Sequence, residues 1–304
     1  MSNVNSHFLI STLIILIGFI IKKFKIISEK DGEILAKLIL NVTMPAAVIS
    51  SISTLEFDAT FGLMPIIAIS FGLLMTVFAI FLFRKETGAS RGMLSMLLPG
   101  LSVALFAFPF VEAIMGAKGL TYVAMFDAGN GLASLGMAYS LGLYFSGSNS
   151  RLDVKSTIKQ IFKSVPLIVY LTTLLVSIAG LHFPDIILKI SQNIGKANTP
   201  LSLITLGVFF NLKIEEGNWR NILRVLSARY LIGLTVGTIL YFTLPVEAMI
   251  RQIIMICLVV PPPMSALAFT VKFNYDKKFV GMLINIANLV SYLLMWGLFN
   301  ILSL

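Results

Sequence analysis

The chain has 304 residues, 57% hydrophobic and only 12% charged, with a mean hydropathy of +0.93 and a formal net charge of +9. A soluble domain carries about 25% charged residues, and no polar stretch here is long enough to form one, so this is an integral membrane chain. Its positive charge therefore bears on orientation and not on nucleic acid, and the lone Cys257 cannot form an intrachain disulfide.

Runs of roughly 20 apolar residues, each long enough for about 30 Å of hydrocarbon, predict ten spans. The first lies near 8–22. It lacks the basic stretch and small-residue cleavage site of a signal peptide and is expected to be retained. The second, 35–54, contains Asn41-Val-Thr-Met-Pro45, and the third covers 62–83. The fourth, 92–114, carries Pro99 and Pro109, with Ser102 between them. Proline lacks an N–H and clashes with the preceding turn, so a helix breaks or kinks there. The fifth span, 120–145, holds Asp127 and Asn130. Asp127 is the only carboxylate placed well inside a span, roughly 10 Å from its start at 1.5 Å per residue.

The sixth and seventh spans, 163–181 and 196–211, are followed by an eighth at 222–243; the seventh opens on Asn198-Thr-Pro200. In the eighth, Gly233-x-x-x-Gly237 suits close helix packing, and Arg229 is expected to snorkel to the membrane surface. The ninth, 248–271, contains Pro261, Pro262 and Pro263, then Ser265; the tenth, 279–302, contains Asn285 and Asn288. Three consecutive prolines enforce an extended stretch without donors. Where the helix restarts, near Met264, Ser265 and Ala266, free N–H groups and the positive dipole end can hold an anion.

Charge supports the count. Connections after odd-numbered spans hold 19 of the 23 lysines and arginines, whereas only Lys118, Lys189, Lys196 and Arg251 follow even-numbered ones. Positive connections stay cytoplasmic, which places both termini outside. Five spans per half make two inverted repeats, 1–150 and 151–304, and weak internal matches share an offset of 157–158 residues: Asn41 with Asn198, and Asp127-x-x-Asn130 with Asn285-x-x-Asn288. Breaks at corresponding places of two halves point to a binding site near the midplane.

Polar groups inside a span are costly and usually face a cavity or the bundle interior. Asn41, Asn130, Asn198, Asn285 and Asn288 thus either line a polar cavity or join helices by hydrogen bonds. Asp127 is a proton or cation site, a counter-charge, or a structural acid capping a broken neighbour. There is no HExxH, CxxC, phosphate-binding glycine loop or GxSxG elbow, so neither an enzyme nor a cofactor is expected, and no metal site.

The stretch Leu40-Asn41-Val-Thr-Met-Pro45-Ala resembles the second-span motif of the auxin efflux carrier family. So do Phe106-Ala-Phe-Pro109 with Gly116-Ala-Lys-Gly119-Leu, Asp127-x-x-Asn130, Asn198-Thr-Pro200-Leu-Ser-Leu-x-x-Leu-Gly207, and the proline-rich ninth span. The resemblance implies two inverted five-helix repeats, with a scaffold and a transport part and with broken helices 4 and 9 crossing. Bacterial members of that family are commonly described as malate or malonate permeases, and plant members export auxin. The fourth span departs from the pattern: Ser102, Ala104 and Ala107 stand where the family usually has Asn, Gly and Gly, which predicts a tighter, less polar crossing.

The expected protein is an all-α secondary transporter of small organic anions in the cell membrane, of bacterial type given its short loops. Its substrate site is built from Asn41, Ser102, Pro109, Asn130, Asn198, Pro261, Pro262, Pro263, Ser265 and Asn288, with Asp127 and Asn285 as coupling residues. The alternative is a transporter-like receptor that binds an organic anion without turnover. Expected partners are the anion and membrane lipid, with a homodimer left open and no nucleic acid.

Overall fold

The computed structural model describes residues 2–52, 60–146, 154–211 and 218–302, and among these there is helix but no strand. Helix α1 spans Ser2–Lys23 and α2 spans Glu29–Leu38. A wide π-helical turn, Ile39–Thr43, leads from α2 into α3, Met44–Ile52. Then come α4, Thr60–Leu82, and the short α5, Gly88–Met96. After a gap the chain re-enters helix through a second π-turn, Val103–Ala107, and continues as α6, Phe108–Gly131, a third π-turn, Leu132–Met137, and α7, Ala138–Phe145. The boundary at 150/151 between the expected halves lies outside the described residues.

Beyond it, α8 (Val154–Ile161) bends by 69° into α9 (Val165–Ile178). Next are α10, Asp185–Gly195, α11, Asn198–Phe209, and the long α12, Trp219–Thr243. The last elements are α13, Ala248–Leu258, α14, Ser265–Lys272, and α15, Lys277–Ile301. By length and composition six helical stretches are fit to cross a membrane, or seven if the bent α8–α9 pair is one span. Helices α5, α13 and α14 have 9, 11 and 8 residues. At 1.5 Å per residue they reach only about 12–17 Å, against a hydrocarbon core of about 30 Å.

Two features differ from the reading of the sequence. The fourth and fifth spans are not separated by a loop: the chain pivots at Gly116, with φ 65° and ψ −157°, a conformation a residue with a Cβ resists. The stretch before Asn198 is helix α10, which meets α3 through a small residue: a Cβ on Gly195 would stand 2.8 Å from the Ala47 Cα, while Ile186, Ile187 and Ile190 are exposed.

The outer faces are apolar, as lipid requires. On α1, Leu9, Ile10, Leu13, Leu16, Ile17 and Ile20 are all exposed. Inside, glycines bring backbones together. A Cβ on Gly18 would lie 2.1 Å from Ile204 O, and one on Gly207 2.0 Å from Ile15 O, so α1 and α11 cross in direct backbone contact. Gly233 does the same for α12, where a Cβ would meet Leu258 O at 2.3 Å. That contact brings α12 against the end of α13, and so against the interrupted segments.

Candidate functional site

Helix α5 ends at Met96 and helix resumes at Val103; α13 ends at Leu258 and α14 begins at Ser265. Pro99 lies in the first gap and Pro261, Pro262 and Pro263 in the second. The gaps touch: the N–H of Ser102 donates to Pro261 O at 2.8 Å. A helix that stops inside a protein leaves carbonyls unpaired and partly negative. Here one guanidinium serves both ends. Arg229 Nη1 donates to Leu97 O and Leu98 O, each at 3.0 Å, and Nη2 to Gly100 O at 2.6 Å and Val260 O at 3.2 Å. Its Nε adds a bond to Val260 O at 3.3 Å. Arg229 is 0% exposed, so the expectation that it snorkels is corrected: buried carbonyls from two distant segments meet it instead of water. Ser291 Oγ covers the neighbouring Val259 O at 2.7 Å.

The first gap is also held from the other side. The Asn130 amide pairs with the Leu101 backbone both ways: its Nδ2 donates to Leu101 O at 2.7 Å and its Oδ1 accepts from Leu101 N–H at 3.0 Å. The same Nδ2 donates to Asp127 Oδ1 at 2.8 Å, and Tyr170 OH donates to Asp127 Oδ2 at 2.9 Å. Asp127 thus links α6 to α9 while its neighbour splints the unwound chain.

Beside this network lies a cavity of about 270 Å³. Val103, Ala104 and Leu105, the start of the second half of the fourth span, form part of its wall, as do Pro263, Met264 and Ser265, the start of α14. Asn41, Ser102, Asp127, Asn130, Ser134, Gln160 and Tyr170 supply polar groups, and the exposed Lys163 supplies a cation. All three π-turns contribute residues: Leu40 and Asn41, Val103 to Leu105, and Ser134 and Leu135. Such turns widen a helix and often mark functional sites.

The expected residues are thereby sorted. Asn41, Ser102, Asp127, Asn130, Pro263 and Ser265 share this cavity. Asn285 and Asn288 line a second one of about 310 Å³ with Lys277 and Lys278. Pro261 sits at the crossing, while Pro262 borders a small void described below. Pro109 does not break its helix. It occupies the first turn of α6, where its missing N–H follows the π-turn, so the first gap is shorter than the Pro99–Pro109 interval suggested. Asn198 is buried at the start of α11 and accepts from Thr43 Oγ1 at 3.2 Å. At the second restart Ala266 N–H is already used, donating to Pro263 O at 3.0 Å, and Leu267 N–H donates to Met264 O at 3.1 Å. Ser265 Oγ is buried without a partner among the described residues.

Two participants were missed. Lys163 was counted only as a basic connection residue, but the bend between α8 and α9 brings it to the cavity mouth. Glu112, near the end of the expected fourth span, is partly buried and accepts a short hydrogen bond from Thr199 Oγ1 at the start of α11.

An all-helical chain with several membrane-crossing helices and two interrupted segments meeting over a polar cavity has the construction of a membrane transporter. Residues 7–164 match the family model described as membrane transport protein. The chain belongs to that family, which is that of the auxin efflux carriers. It is 21% identical over 302 residues to an uncharacterized transporter of Methanocaldococcus jannaschii, covering 95% of this chain and 96% of the other. It is 23% identical over 288 residues to an uncharacterized transporter of Methanothermobacter thermautotrophicus, covering 92% of each.

Proposed function

We propose that the protein is a carrier of small organic anions across the cell membrane, with the anion held in the 270 Å³ cavity. The observation that carries this reading is that the starts of both resumed helices border one cavity with Lys163 at its mouth. Helix starts carry about half a positive charge each, so two of them converging favour a carboxylate even though the Ala266 and Leu267 N–H groups are already paired. At the opposite ends the Arg229 guanidinium offsets the partial negative charge of the Leu97, Gly100 and Val260 carbonyls.

The proposed topology has ten crossings in two inverted halves and both termini outside. It counts α5 with the start of α6, and α13 with α14, as one interrupted crossing each. Because Ser102, Pro261 and Arg229 tie the two gaps together, the crossing moves as one body during transport. Counterflow of labelled mono- and dicarboxylates in proteoliposomes tests the reading. Binding without counterflow would make the protein a receptor; neither binding nor counterflow by any carboxylate would remove the anion reading.

A further inference from the structure

Six helical threonines turn their hydroxyls back onto their own helix, and Thr43, Thr60, Thr157 and Thr199 bond to side chains of other segments. Thr12, Thr76, Thr121, Thr173, Thr243 and Thr270 each donate to the carbonyl four residues earlier. Ser202 and Thr205 on α11 do not. They are 0% and 1% exposed, and their hydroxyl oxygens have no hydrogen-bond partner among the described residues. A stranded buried hydroxyl costs about 1–3 kcal/mol, and these two lie one turn apart on one helix face.

Both border the same void, about 10 Å³ in volume, where α11 meets the two interrupted segments. That is room for about one water-sized sphere. Ser102 of the first gap and Asn288 of α15 complete its polar wall, beside Pro262 of the second gap. These side chains offer neutral oxygens and no carboxylate, and neither Asp127, Glu112 nor Arg229 borders the void. Hard cations choose oxygen ligands. A divalent ion in a membrane interior would need carboxylates beside it, whereas a monovalent ion is served by hydroxyl and amide oxygens. Interrupted membrane helices are a common place for such an ion.

We propose that this void is a binding site for a monovalent cation of sodium size, with Ser202 and Thr205 as ligands. Ser102, Leu105 and Met264 border both the void and the 270 Å³ cavity, so the cation would lie behind the wall of the anion site. The cation site stands on its own observations; its coupling to the anion rests on the function proposed above. Opposite charges on two sides of one wall favour each other, and by linkage each ligand raises the other's affinity by the same factor.

The test is thermal unfolding of the purified full-length protein in NaCl, KCl or choline chloride at constant ionic strength, without organic anion. Sodium should raise the midpoint saturably, as a ligand of the folded state does, and choline should not. The Ser202→Ala/Thr205→Val double variant should need about tenfold more sodium or show no shift. In choline it should be at least as stable as the wild type, because stranded hydroxyls are gone. Thr205→Val alone, close to isosteric, should lose part of the response. Equal midpoints in all three salts would mean that the void holds water only and would overturn the site. A full sodium shift retained in both variants would overturn it as well. Adding a carboxylate should lower the sodium concentration at half-saturation; a sodium shift with no carboxylate effect would count against the anion reading and leave the cation site standing.

Discussion

The N–H of Ser102 donates to the carbonyl oxygen of Pro261, 159 positions further along the chain, across 2.8 Å, and so joins the two interrupted segments. Neither group could pair within its own helix at that point. The contact makes each gap a partner for the other, and Arg229 donates to four further carbonyls on the two sides.

Arg229→Leu should therefore be among the most damaging single changes in the chain. It strands the carbonyls of Leu97, Leu98, Gly100 and Val260, and at about 1–3 kcal/mol for each stranded group the loss is on the order of 4 kcal/mol or more. Arg229→Lys should recover part of it, since an ammonium reaches fewer of the four. Thermal unfolding in detergent reads both. A wild-type midpoint in Arg229→Leu would mean that the guanidinium does not hold the crossing.

Asp127→Asn should stay folded, because the amide oxygen can accept from Asn130 Nδ2 while the amide N–H donates to the Tyr170 oxygen, whose hydroxyl can turn to Met44 Sδ. It should change the pH dependence of transport if the carboxylate moves a proton with the substrate. Rates that follow the wild-type pH profile would assign Asp127 to the splint of Asn130 and Tyr170 alone.

Orientation is tested by accessibility. Tags at either terminus should be labelled from outside intact cells and tags inserted at 86–90 should not, if the positive charge of Arg84, Lys85 and Arg91 holds that connection in the cytoplasm as the proposed topology has it. A C-terminus found inside would remove the odd number of crossings per half.

The same connection carries a pH-sensitive pair. Arg224 Nη1 donates to Glu86 Oε1 at 2.7 Å, and this bond holds the Glu86 carboxyl below its ordinary value of 4.5, against a smaller opposing effect of burial. A carboxylate depressed in the folded state stabilises above its unfolded value, and that contribution is lost as pH falls through the folded one. Glu86→Gln should cost up to about 1 kcal/mol near neutral pH, as partly exposed pairs do. The gap between variant and wild type should close on acidification below 4.5. A gap that persists there would trace to packing instead.

The interruptions themselves were legible because proline acts locally: Pro99 and Pro261 to Pro263 cannot continue a helix whatever surrounds them. What joins the interruptions was not. Arg229 looks like any arginine near the end of a span until the carbonyls of residues about 30 and 130 positions away arrive beside it. Asn130 was visible as a buried amide, but its two-way pairing with Leu101 depends on how α6 lies against the first gap. Lys163 reaches the cavity only through the 69° bend between α8 and α9. The π-turns left no mark in the hydrophobic pattern, since one extra residue per turn keeps a segment apolar.

The most direct test of the anion site is equilibrium binding of a labelled carboxylate to wild-type protein and to a Pro261→Ala/Pro262→Ala/Pro263→Ala variant. Each proline opposes helix by about 3 kcal/mol, so alanine lets α13 run on into α14 and removes the helix start that borders the cavity. The account predicts a variant that expresses and unfolds cooperatively but no longer binds. Ser265→Ala, which removes one hydroxyl and leaves the backbone in place, should bind only severalfold more weakly. Wild-type affinity in the triple variant would contradict the claim that the interrupted crossing is the binding site.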